Sequence, residues 1–88
     1  MKNGDNEKVL SEIFSAAGKY ILEGGEMPKL SGDRTQVKAI MDVTIASRRL
    51  YEALLSEDSN LDVVIEMSKS RRSAATEFEK IIGTSWRL

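Results

Sequence analysis

Leu54-Leu55-Ser56-Glu57-Asp58-Ser59-Asn60-Leu61-Asp62 is the stretch on which the fold turns. Its middle, Ser56 to Asn60, is a short polar break between two apolar-periodic segments of nearly equal length. Ser59 with Asp62 three residues on makes a capping box, which satisfies the free N–H groups of a helix start. A helix is therefore expected over about 60–82. Its apolar set is Leu61, Val64, Met67, Ala74, Ala75, Phe78, Ile81 and Ile82, and Gly83 ends it.

Upstream, Asp33 and Gln36 repeat the capping pattern and open a helix over about 34–56, roughly 33 Å long at 1.5 Å per residue. Two stripes run along it. One follows Ile40, Val43, Ser47, Leu50 and Leu54, the other Val37, Met41, Thr44, Arg48, Tyr51 and Leu55. Adjacent stripes imply cover on more than one side. Two helices of equal length joined by a few residues pair as an antiparallel hairpin.

Before the hairpin, Leu10, Phe14, Ala17 and Ile21 recur at helical spacing, widened by Val9, Ile13 and Tyr20. That predicts a first helix over about 6–23, capped by Asp5 or Asn6 and stopped by Gly24-Gly25. The connector 24–32 is long enough to lay this helix on its own hairpin or on a neighbour's. No strand pattern occurs. The expectation is an all-α single domain, residues 1–88, with three helices, the last two in a long antiparallel hairpin, and a tail at 83–88.

Composition narrows the chemistry. The chain has 88 residues, 41% hydrophobic and 31% charged, with neither Cys nor His. Thiolate chemistry, disulfides and the commonest general base and metal ligands are thereby absent. No apolar run is long enough to span a membrane, and the first residues lack the apolar core of a signal peptide, so a cytoplasmic protein is expected. Asp58-x-Asn60-x-Asp62 copies the opening of a calcium loop, but Val63 stands where Gly is needed and Lys69 where the bidentate Glu is needed. No glycine-rich phosphate loop occurs, and Glu23/Glu26 and Glu77/Glu79 sit in solvated settings. The expectation is no enzyme, no metal, no cofactor and no small-molecule substrate.

Net charge is −1 and evenly distributed along the chain, so any basic site must arise by folding. Hairpin pairing about Glu57–Asp58 sets residue 47 near 68 and residue 49 near 66. Arg48 and Arg49 then share a level with Lys69, Arg71 and Arg72, forming a cationic band halfway along the hairpin. Such a band is either a solvated surface, with Arg stems covering apolar groups, or a site for an anionic partner. Ile45, on a charged stripe of helix 2, is expected at the edge of the covered surface. Trp86, beyond Gly83, either folds back as a hydrophobic plug or is presented to another chain. Arg48, Arg49, Lys69, Arg71, Arg72, Ile45 and Trp86 are the candidate partner-binding residues. The expected partner is protein, a second copy included; nucleic acid reached through the basic band is the alternative.

The last third closes on Gly83, Thr84, Arg87 and Leu88 after a helical hairpin. In this it resembles phage small terminase subunits, whose hairpin ends in a Leu-Gly-Leu-Thr-Pro-like turn followed by Arg and Leu; only Gly83, Thr84, Arg87 and Leu88 match in kind, and the proline is absent here. The resemblance implies a ring-forming, DNA-associated packaging protein acting inside an infected cell.

Overall fold

Three segments with helical apolar spacing and distinct stop signals yield three helices of equal length. A computed structural model describes residues 2–27, 29, 30, 32–58 and 60–88, with side chains from Val9 onward. The helices are α1 (Lys2–Glu23), α2 (Arg34–Leu55) and α3 (Leu61–Ile82), 22 residues each, and no strand occurs among the described residues. No helix is long and apolar enough to cross a membrane.

The ends follow local chemistry. Asp33 caps α2, its carboxylate accepting from the backbone N–H of Gln36 at 3.2 Å. Asn60 caps α3, accepting from Val63 N–H at 3.0 Å. The cap expected at Ser59 lies outside the described residues; the oxygen that closes the first turn belongs to the next residue. Gly24 and Gly83 both take the left-handed conformation, φ +73° and +91°, that ends helices without a Cβ penalty. Helix α1 begins earlier than Asp5 or Asn6 predicts. A helix nucleated downstream adds turns at small cost, so two weak helix formers do not stop it.

Helices α2 and α3 form the antiparallel hairpin. Helix α1 lies beside α2 and runs in the same direction: Ile13 shares a cavity wall with Ile40 near the base, and Ile21 meets Arg48 farther up. The connector therefore returns along the molecule before α2 begins, and Leu30 packs on the core on the way. The core is Ala17, Ile21, Ile40, Val43, Phe78 and Trp86. Phe14, Tyr20 and Tyr51 pack against it, so four of the five aromatics occupy the apolar stripes that their spacing predicts.

Trp86 is the fifth, and it folds back. Its indole is 7% exposed, lies 5.1 Å from the Phe78 ring and 5.3 Å from the Phe14 ring, and donates to Ser47 Oγ at 2.9 Å. Ring pairs at these separations add about 0.5–1.5 kcal/mol each beyond area burial. Leu88 then lies over Gly18, and Arg87 stacks 5.4 Å above Phe14. The tail thus serves as a fourth packing element.

An 88-residue domain is expected to hold about 4–13 kcal/mol in total, so one side chain decides much of it. Trp86→Ala should cost about 3–5 kcal/mol in urea denaturation monitored by far-UV circular dichroism. Trp86→Phe keeps one ring of the packing but loses the indole hydrogen bond and some buried volume, for about 1–3 kcal/mol. Equal stability of the alanine variant and the parent would mean that the tail is not part of the fold.

Candidate functional site

Packing α1 beside the base of α2 sorts the hairpin surface into covered and uncovered parts. Helix α1 ends at Glu23, close to the level of Arg48, because the Arg48 guanidinium donates to the Ile21 carbonyl at 2.6 Å. The hairpin continues for another seven residues of α2, about 10 Å, with no helix beside it. Leu54 and Leu55 prolong the two stripes that carry the buried Ile40, Val43, Ser47 and Thr44 farther down, yet they are 61% and 66% exposed. The stripe argument expects cover there; α1 stops too early to supply it. Across the turn, Leu61 is 73% exposed and Ile65 42%, and Val63 is exposed as well. Leu61, Ile65 and Arg72 share one stripe of α3, whose continuation, Ala75, packs on the core. Exposed apolar groups in such a cluster mark an interaction surface more often than isolated ones do.

The cationic band departs from expectation in one member. Arg48 is half-buried and turned onto α1, where besides Ile21 it meets Glu52 at 3.1 Å and lies 5.9 Å over the Tyr51 ring. The carbonyl bond dominates: a charged hydrogen bond contributes about 1.5–3 kcal/mol, an exposed i,i+4 ion pair about 0.3–0.5 kcal/mol. No Lys or Arg stands in the last turn of α1, so Arg48 brings the cation that this negative helix end lacks. Arg48 is a clamp within the chain and leaves the band.

The others divide over the hairpin. Arg49 and Ile45 line a shallow cavity of about 360 Å³ between α2 and α3 with Met67 and Ser70, within a turn of the pairing that a symmetric hairpin implies. Lys69 borders the adjoining groove with Ser73 and Glu77. Asp42 borders both and is held by Lys38 at 2.7 Å, a bond that raises the lysine pKa above its usual value. Arg71 is half-buried and Arg72 exposed. Among the described residues, Arg49, Lys69, Arg71 and Arg72 make no ion pair. Trp86, as described, is turned into the core.

Beyond the band the charge changes sign. From Leu50 to Ser68 there is no Lys or Arg, while Glu52, Glu57, Asp58, Asp62 and Glu66 are acidic. The uncovered end is therefore apolar and acidic, and it rests on a cationic collar. The even charge along the chain hides this, because the cations of Arg48–Arg49 and Lys69–Arg72 cancel in sequence against the acids between them. Among the described residues, no three acidic groups cluster as a metal site.

Comparison with family models, curated proteins and solved structures gave no match.

The Arg48 clamp makes a sharp energetic prediction. A Cβ at Gly24 would lie 2.9 Å from an Arg48 guanidinium nitrogen, on a backbone at φ +73°. Gly24→Ala should cost about 1–2 kcal/mol for the left-handed backbone, and more again by displacing Arg48. In an Arg48→Ala background only the backbone cost remains. A double-mutant cycle read by denaturation should show coupling of about 1–2 kcal/mol; additivity within about 0.5 kcal/mol would mean that the two residues do not meet.

Proposed function

We propose that this chain is a non-catalytic helical module that binds protein, its own copies included, through the uncovered end of the α2–α3 hairpin. One observation carries the reading: Leu54, Leu55, Leu61 and Ile65 stand exposed together where α1 stops short. Burying a large apolar side chain is favourable by about 1.5–3 kcal/mol, so four of them can drive association. The acidic and cationic groups around them supply the polar rim that selects a partner.

The same surface weighs against a phosphate-binding role. Arg48, Arg49, Lys69, Arg71 and Arg72 are matched in number by the acids between them, and a phosphate backbone approaching the collar would meet the acidic end. Nucleic-acid binders gather cations into an uninterrupted footprint. A packaging-type role shared with terminase small subunits draws support only from the Gly-Thr…Arg-Leu tail. In this chain that tail packs over Phe14 and Gly18.

The test is a quadruple variant, Leu54→Ser, Leu55→Ser, Leu61→Ser and Ile65→Ser. Helix content and Tm should stay within a few degrees of the parent, because these groups are exposed. Association should fall at least about tenfold, which is about 1.4 kcal/mol, whether read as self-association by sedimentation velocity or as co-elution with a second protein. A variant that associates like the parent removes the apolar end from the interface. Steep loss of duplex-DNA binding between about 50 and 200 mM salt, unchanged in the variant, would favour the phosphate reading instead.

A further inference from the structure

The end of α2 lacks what the end of α1 is given. A helix C-terminus carries a partial negative charge that a nearby cation stabilises. At α1 that cation comes from the neighbouring helix, Arg48 donating to the Ile21 carbonyl. Helix α2 likewise has no Lys or Arg in its last turn, and among the described residues none donates to its last carbonyls. From Leu50 to Ser68 the chain holds no cation. Glu57, Asp58 and Asp62 are exposed there instead, and among the described residues none of the three forms an ion pair. The start of α3 favours Asp62. Glu57 and Asp58 follow the negative end of α2 directly.

The same place is apolar. In the hairpin register Leu54 falls opposite Leu61, with Leu55 next to it and Ile65 one turn lower on α3, and all four are exposed. Arg49 and Lys69 line the α2–α3 cavities on another face and do not border this patch. Arg72, on the stripe of Leu61 and Ile65, stands about two turns below Ile65, roughly 10 Å, and bounds the patch from below.

We propose that this patch receives a cationic amphipathic helix of another protein. Its apolar face covers Leu54, Leu55, Leu61 and Ile65, and its Lys or Arg side chains meet the α2 end, Glu57 and Asp58. The inference rests on the reading of this end as the contact surface and names the chemistry of the partner. A helix is what the hairpin already takes lower down. Ala17 and Ile21 of α1 share the core with Ile40 and Val43, and Leu54 prolongs the stripe of those two residues. An amphipathic helix recognises such a surface through apolar anchors at three- and four-residue spacing. Charge sets the sign of its polar face. A second copy offering the same end brings acid to acid, and nucleic acid or an anionic lipid surface is repelled by the turn. A basic helix supplies at α2 what Arg48 supplies at α1.

Two dye-labelled peptides of about 18 residues test this on the full chain: a Leu/Lys amphipathic helix, and a Leu/Glu counterpart with the same apolar positions. Fluorescence anisotropy at about 50 mM salt should show the Leu/Lys peptide bound at least about tenfold more tightly, and less so at about 500 mM. Glu57→Lys with Asp58→Lys should weaken Leu/Lys binding at least about tenfold and strengthen Leu/Glu binding. Glu12→Lys with Glu77→Lys changes net charge by the same amount at exposed positions outside the patch, and should leave Leu/Lys binding within about threefold. The serine variant at Leu54, Leu55, Leu61 and Ile65 should lose at least about tenfold in Leu/Lys binding. Five results would overturn the cationic partner: no binding of either peptide, equal binding of both, a preference for Leu/Glu, equal loss in the Glu12/Glu77 variant, or a serine variant that binds Leu/Lys like the parent. If in any of these cases the serine variant still loses self-association or co-elution with a second protein, the contact-surface reading stands alone. If it associates like the parent, both fall.

Discussion

One hydrogen bond and the rings around it hold the three helices in place. Ser47 on α2 accepts from the indole of Trp86, which in turn packs on Phe14 of α1 and Phe78 of α3. A hydroxyl buried at mid-helix needs a partner, and an indole N–H taken out of water needs an acceptor. Each satisfies the other. Because Ser47 is small, the ring can lie against the hairpin at that level, so the tail occupies space that a larger α2 residue would fill. Everything above that level follows: α1 is held at its C-terminal end by Arg48, just past the indole, and stops there.

The helices, the Asp33 cap of α2, the glycine stops and the hairpin were legible because each depends on local chemistry. Asp33, Gly24 and Gly83 act within one turn of themselves, and the spacing of Leu10, Phe14, Ala17 and Ile21 needs no distant partner to be read. The surface was less legible. Arg48 and Arg49 are neighbours in sequence and look alike, yet one degree of freedom, the position of α1, sends the first inward and leaves the second on the groove. Leu54 and Leu55 continue unbroken stripes, so periodicity alone counts them as core. Whether a stripe is covered depends on the length and stagger of another element, which a pattern on one helix does not contain. Trp86 was ambiguous for the same reason, since its acceptor lies thirty-nine residues away.

The stagger also orders assembly. The α2–α3 contacts close through a short turn, whereas α1 and the tail must find partners distant in sequence. Loop-closure entropy grows with separation, so the hairpin is favoured to form before the elements that lie on it. Before α1 and Trp86 dock, the parts of the α2 stripes that α3 does not cover are bare, the level of Ser47 among them. Docking covers the level of Ile40, Val43 and Ser47 and leaves Leu54, Leu55, Leu61, Val63 and Ile65 exposed at the end bounded by charge.

The contact between Arg48 and α1 is made to a main-chain oxygen. Every residue that could stand at position 21 presents the same carbonyl, so substitution there changes packing but not the acceptor. Position 48 is therefore constrained by a partner that cannot vary in step with it. Paired substitution, the usual trace of spatial proximity between two positions, has nothing to record at this joint. The place where α1 is fastened would show instead as an arginine and a glycine, Arg48 and Gly24, each held constant for its own steric reason, with freedom at the residue that accepts the bond.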